Sequence, residues 1–584
     1  MKKTNGKINK LLYILLCISI AIGVCSCGKD SDNNENYMDL STYFGLNSTE
    51  VDNPCAIVID HEIVGYGIVQ NDRIYIPYGI VRTKINNKFY IDKNENILMY
   101  TTPDKIIESK VGSDKYIDET EKTFEDVISI NISNEYYVSF DFVIYMSNNV
   151  RYEQVMTPAR LVISTVLNNT VAQASSDDVI RYEASAKSER LIDVKENDTL
   201  YIIEKNSKFT KVADSTGIVG YINTDSLKES QEVMDSIDYV PATYSHNLLD
   251  EKVCLAWQQM EVKEGNGALE DYILETKGLN VISPTWYQID GYDGNIKSCS
   301  DEDYVRRAHS YGLQVWGLVS DFNADENNNY YINDVLASTT SRRNLISNLL
   351  SEVEKTKMDG INIDFEKIYK ENSEDYIEFI RELSIECRKR GIILSVDMYI
   401  PTDYNRYYDR TSVGEVADYV IVMGYDEHWA GCQNAGSTAS IGFVTNGIED
   451  TIAEVEPSRV INAIPFYTRV WIETPEELAD PEDEIIEDSV IGNYTLNSFA
   501  VGMGTAKRYL AEHNVNPTWM EELGQYYGEY KIDGVTYRIW LEEHDSIRLK
   551  LSVMEEKNIA GVACWKLGLE INDIWDIINE YLEK

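Results

Sequence analysis

The chain has 584 residues, 43% of them hydrophobic and 26% charged, enough to bury more than one core. Acids outnumber bases 98 to 53, a formal charge of −45 that argues against a nucleic-acid partner, because phosphate binding needs the opposite sign. The six histidines form no His-Glu-x-x-His pair and no Cys-x-x-Cys occurs, so neither a metal nor another cofactor is expected.

The first elements are a leader and a tether. Lys2, Lys3, Lys7 and Lys10 precede an apolar run from Leu11 to Val24, too short to span a bilayer comfortably and shaped like a secretory signal. Val24-Cys25-Ser26-Cys27-Gly28 closes the run and resembles a bacterial lipobox. That resemblance implies a leader of residues 1–26, a diacylated Cys27 and a chain held at the outer face of the cytoplasmic membrane. Residues 27–53 read as a polar tether. Loss of the four leader lysines would take the charge to −49, repelling anionic wall polymers and leaving hydrogen bonds and aromatic stacking to hold neutral sugars. The six later cysteines (Cys55, Cys254, Cys299, Cys387, Cys432, Cys564) are widely spaced and read as scattered core thiols.

Residues 54–170 are rich in short β-type runs such as Ile74-Tyr75-Ile76-Pro77, separated by polar turns. The stretch from Ile57 to Tyr100 resembles the stalk domain named after the N-terminal part of copper amine oxidases, a name that carries no copper here. Residues 187–228, with alternating "DTLYIIEK", "FTKVAD" and "IVGYINTDSL", resemble a bacterial SH3-like barrel.

From Lys252 the pattern changes to apolar strands alternating with amphipathic helices. Strands are predicted at Val253–Gln258, Asn280–Trp286, Gln314–Ser320, Gly360–Glu366, Ile393–Tyr399, Tyr419–Tyr425, Val460–Phe466 and Gly561–Leu567, with helices such as Tyr376–Arg390 and Ser546–Lys557 between them. This is the α/β pattern of a (β/α)₈ TIM barrel over residues 245–584, preceded by small β-rich domains, and a fragment starting near residue 245 is expected to hold its own core. The seventh and eighth strands are too far apart for one crossover, so residues of about 494–545 are expected to form an inserted α+β lobe. Gly502-Met503-Gly504-Thr505-Ala506-Lys507 looks vaguely like a phosphate loop but follows no predicted strand and lacks the spacing, and no function is assigned to it.

The most informative run is Met358-Asp359-Gly360-Ile361-Asn362-Ile363-Asp364-Phe365-Glu366. Side chains alternate along a strand, so Asn362, Asp364 and Glu366 share one face and Ile361, Ile363 and Phe365 the other. The apolar face can pack on helices and the polar face look into the barrel, at the strand end where such folds keep their chemistry. Acids there are costly unless used. Two like charges on one strand favour keeping one protonated, as a general acid requires, and Glu366, nearest the cleft, is the candidate. Asn362 leaves Asp364 with Glu366 as its only ionisable strand neighbour, which favours an ionised Asp364. Trp257, Trp286 and Trp316 are expected in the core.

This run resembles the Asp-x-x-Asp-x-Asp-x-Glu motif of glycoside hydrolase family 18, with Asp359, Asp364 and Glu366 in register and Asn362 in place of an Asp. The Asn form is nearest the spore-cortex-lytic N-acetylglucosaminidase branch. "ADYVIVMGYDEHW", "AGSTAS", "AIPFYTRVW", "YRIWLEE" and "GVACWKLG" extend the likeness over most of residues 250–584. It implies a retaining mechanism in which the substrate's 2-acetamido oxygen attacks the anomeric carbon. Glu366 would then be the acid–base, Asp364 would orient the acetamide, and Tyr425 would hydrogen-bond it. Asp359, Asn362, Met423 and Asp426 would bind substrate, and Trp565 would form the floor under the sugar. Thr468, where the family has Gly, and Asn462-Ala463, where it has Leu-Gly, are expected to narrow the cleft. The implied substrate is an N-acetylglucosamine-containing polysaccharide, first of all bacterial peptidoglycan. Chitin, glycoprotein glycans, and a silent glycan-binding role are the alternatives, the last opposed by the intact Asp364, Glu366 and Tyr425.

Overall fold

The computed structural model describes residues 35–237, 239–486 and 492–584. Cys27 and the leader lie outside them. No helix among the described residues is long and apolar enough to cross a membrane. The chain forms two compact units, one of residues up to 74 together with 149–238, the other of 75–148 together with 239–584.

In the first unit, strand Pro54–Ile59 pairs antiparallel with Glu62–Gln70 and parallel with Ala159–Ser164, which is flanked by Arg151–Met156. A seven-stranded sheet runs from Asn168 to Met234. Its alternating residues Ile180, Leu191, Leu200, Val212 and Ile222 bury one face in a core shared with Ala56 and Val58.

In the second unit eight parallel strands close a barrel: β1 Val253–Gln258, β2 Val281–Pro284, β3 Gln314–Ser320, β4 Gly360–Asp364, β5 Ile393–Tyr399, β6 Tyr419–Met423, β7 Val460–Pro465 and β8 Gly561–Trp565. The β1–β8 and β2–β3 pairings complete the ring. The helices that follow these strands are α1 Leu269–Ile273, α2 Glu302–Ser310, α3 Thr339–Thr356, α4 Ser373–Arg390, α5 Arg410–Val416, α6 Ile441–Ile452, α7 His544–Lys557 and α8 Ile574–Leu582. Helix α4 shows how locally the sequence sets its bounds. Glu374 and Asp375 sit in the first turn, Arg388, Lys389 and Arg390 in the last, and Gly391 takes the left-handed φ of 67° that ends it.

Two cores separate along the alternation of the strands. Ile361, Ile363 and Phe365 pack outward against helices, while Trp257, Trp316, Leu318 and Ile421 fill the barrel interior. A Cβ on Gly360 would lie 2.7 Å from the Trp316 ring, so glycine at the start of β4 makes room for that indole. Trp257, Trp286 and Trp316 are all buried.

The lobe between β7 and β8 is a five-stranded antiparallel sheet carrying helix Met503–Glu512. It starts earlier than residue 494, because Tyr467–Pro475 pairs with both Tyr494–Gly502 and Val535–Leu541. A strand does lead into Gly502, contrary to the sequence expectation, and a Cβ there would meet the Leu569 carbonyl at 2.7 Å, so this glycine serves close backbone packing.

Residues 75–148 are built onto the barrel. Asp92 accepts the Thr339 N–H at 2.6 Å and so caps α3, and the Tyr90 hydroxyl donates to Asp375 Oδ1 at 2.7 Å while accepting from Arg342 at 3.0 Å. The buried Arg342 pairs with Glu382 at 3.0 Å. The expected fragment from residue 245 therefore lacks a layer that covers charged side chains of α3 and α4.

Candidate active site

The C-terminal ends of the barrel strands open into a cavity of about 700 Å³. Asp364, Glu366, Met423, Tyr425, Asp426 and Trp565 all line it. Alternation along β4 carries Asp364 inward, and Glu366 follows two residues later at the rim. Trp565 ends β8, its ring 5.7 Å from that of Trp257. Tyr425 lies just past β6 with its ring edge-on to Tyr467, and burial together with the nearby carboxyls pushes its hydroxyl well above the ordinary range.

Two residues expected to bind substrate do not line the cavity. Asp359 precedes β4 at the opposite end of the strand, where Oδ2 accepts the Val315 N–H at 2.8 Å and pairs with His309 at 2.8 Å. It ties β4 to β3, and its place at the far end of the strand keeps it off the cavity wall. Asn362 is fully buried below Asp364: its Oδ1 accepts from Trp257 Nε1 at 2.9 Å and from Ser283 Oγ at 3.1 Å, and its Nδ2 donates to Asp397 Oδ1 at 2.8 Å. Thr468 does not narrow the cleft either. It is buried, and its hydroxyl donates to the Trp540 carbonyl of the lobe.

Sequence reasoning missed three acid or phenol groups that neighbouring strands bring in. Asp397 on β5 lines the cavity, and Tyr399, two residues on, donates its hydroxyl to Glu366 Oε2. Ser395, Asp397 and Tyr399 alternate with Val396 and Met398, the same polar-in, apolar-out signal that marked β4. Asp321, directly after β3, accepts the N–H groups of Glu366 at 3.0 Å and Lys367 at 2.8 Å, which sets the backbone that carries the acid.

These groups revise the electrostatics. Asp364 does not have Glu366 as its sole charged neighbour: burial, then Glu366, Asp397 and Asp321 push its carboxyl well above the ordinary range. Burial likewise raises Asp397 well up, opposed by its hydrogen bond from Asn362, and raises Asp321 to about 7, opposed by its two backbone donors. One oxygen of Asp364, Oδ1, is sealed from solvent with no hydrogen-bond partner.

A parallel barrel with a carboxyl cluster at its strand ends, an acid held by a phenol and an indole floor has the makings of a glycosidase. The chain belongs to family 18 of the glycosyl hydrolases, whose family model matches residues 257–570, more than half of the chain. It is 26% identical over 242 residues to a Bacillus subtilis (strain 168) protein named as a sporulation-specific glycosylase, YdhD, an alignment covering 41% of this chain and 54% of that one. It is 24% identical over 297 residues to the cortical fragment-lytic enzyme of Bacillus anthracis, covering 49% of this chain and 65% of that one. The chain thus spans under two thirds of the length of both relatives. The crystal structure of the Bacillus cereus spore cortex-lytic enzyme SleL aligns with a TM-score of 0.48 at 21% identity, over 60% of this chain and 77% of that one.

Proposed function

We propose that this chain is a retaining glycosidase that hydrolyses β-linked N-acetylglucosamine glycans of bacterial peptidoglycan with the substrate's own acetamide as nucleophile. The observation that carries it is the unpartnered, buried Oδ1 of Asp364 beside Glu366, Tyr425 and Trp565 in one cavity. A buried acceptor without a donor is costly, and a turn of the Asp364 side chain toward the cavity would bring it to an acetamide N–H placed over Trp565. Glu366 protonates the glycosidic oxygen, and the acetamide oxygen closes on the anomeric carbon as that bond breaks. The positive charge of the resulting oxazolinium ion stabilises a carboxylate at Asp364 and offsets the burial that disfavours it. Tyr425 holds the acetamido oxygen, and Glu366 then takes a proton from the water that reopens the ring.

The peptidoglycan assignment is supported by the Asn362 form of the motif and by the likeness to a cortical fragment-lytic enzyme. Surface anchoring through Cys27 belongs to the same proposal, and would be tested by palmitate labelling of native and Cys27→Ser protein. Label retained in the variant would refute that anchor. For the substrate, the whole chain is incubated in parallel with purified peptidoglycan, chitin oligosaccharides and a high-mannose glycopeptide. Release of N-acetylglucosamine-ended fragments from peptidoglycan is expected, and products from chitin alone would overturn the choice.

A further inference from the structure

Two cations line the cavity of this acidic chain, Lys367 on the β4 side and Arg469 on the lobe strand Tyr467–Pro475. Neither has a carboxylate within ion-pair distance among the described residues, although acids outnumber bases 98 to 53. The Lys367 ammonium instead sits 5.0 Å from the ring centre of Phe322 and 6.0 Å from that of Tyr330, which holds it at the cavity wall. Arg469 donates from Nη1 to Ser498 Oγ at 3.0 Å, while its Nε–H is sealed from solvent with no acceptor. A guanidinium at the cavity wall matches a carboxylate, which its charge and its remaining Nη–H groups can meet.

We propose that Lys367 and Arg469 form an anion-recognition element of the glycan cleft and select chains whose sugars carry a carboxylate. The proposal rests on the peptidoglycan reading. It amends the expectation that the protein's net charge leaves neutral-sugar contacts alone to hold a wall glycan, because two fixed cations inside the cleft act at contact range while the surface charge is screened beyond about 10 Å. The carboxylate can come from the lactyl ether of the sugar or from a peptide attached to it, and both sources present the same group.

The test measures kcat/KM of the whole chain on four substrates: an alternating N-acetylglucosamine–N-acetylmuramic acid tetrasaccharide with free lactyl carboxylates, its methyl ester, the same tetrasaccharide bearing stem peptides, and neutral chitotetraose. The free acid should exceed its ester by about tenfold, the worth of one charge-assisted contact. Lys367→Met and Arg469→Met should each lower that acid-to-ester ratio by several-fold. Preference confined to the peptide-bearing chain, and lost in both variants, would support the element and assign it to the stem carboxylate. Equal rates on acid, ester and peptide-bearing chain, or ratios unmoved by both substitutions, would overturn the element while leaving the peptidoglycan reading intact. Cleavage of chitotetraose with none of the muramyl substrates would overturn both.

Discussion

Asn362 donates its Nδ2–H to Asp397 Oδ1 over 2.8 Å, so a strand that lacks one carboxyl of its family's motif is joined by a carboxyl from the next strand. Trp257 and Ser283 both donate to the other end of the amide, which fixes its orientation. Asp397 on β5 thus joins Asp364, Glu366 and Asp321 in the site.

Asp397→Asn should therefore move the acidic limb of the kcat/KM profile to lower pH. Asp397 is one of the charges that raise Asp364, and removing it lets Asp364 ionise at lower pH. Asn362→Asp should move the limb the other way, since an acid at hydrogen-bond distance from Asp397 makes ionising the set harder. A pH–rate series on one soluble acetamido substrate checks both, and limbs that superimpose within about 0.3 unit would show that these carboxyls are not coupled at a cleft dielectric.

Glu366→Gln should lower kcat by about 10²–10⁴-fold with little change in melting temperature or in oligosaccharide binding. The substitution removes a proton donor from a partly exposed side chain and leaves its shape, including the acceptor that Tyr399 uses. Isothermal titration of the variant separates this from a folding defect, and a wild-type kcat would remove Glu366 from its role.

Asp321 gives a stability test with a definite sign. Its carboxyl holds a proton to about 7 in the folded chain against an ordinary value of 3.8, so the folded state binds more protons between those limits. Its contribution is fully present below about pH 4 and is lost as pH rises toward 7, a change of roughly 4 kcal/mol by linkage. The melting temperature of wild type relative to Asp321→Asn should fall over that range. The same variant should lose turnover, because an amide offers one acceptor oxygen to the two N–H groups that set Glu366 and Lys367. A constant difference in melting temperature from pH 4 to 7 would show that Asp321 titrates normally.

Tyr90→Phe should destabilise the second unit by about 1–3 kcal/mol, since it strips a buried partner from both Arg342 and Asp375. A fragment of residues 239–584 should melt lower still, having lost Asp92 from the α3 N-terminus as well. Chemical denaturation of the three proteins ranks them, and a fragment as stable as the whole chain would show that residues 75–148 only decorate the barrel.

The sequence by itself determined the barrel and the residues of β4. Alternation with period two tells which side chains face inward, and Ile361, Ile363 and Phe365 left Asp364 and Glu366 no other face. Tyr425, Asp426 and Trp565 were reached through the family resemblance, and all three line the cavity. Tertiary structure alone decided three things. Register across strands set Asp397 against Asn362 and Asp321 against the Glu366 backbone, since hydrogen-bond partners on different strands are chosen by closure of the ring. Asp359 stands away from the cavity, beside Val315 and His309, because position along a strand, unlike face, depends on how the neighbouring strands are staggered. Burial decided the direction in which the Asp364 carboxyl is shifted: desolvation depends on what the whole barrel packs around a carboxyl, and no local spacing encodes it.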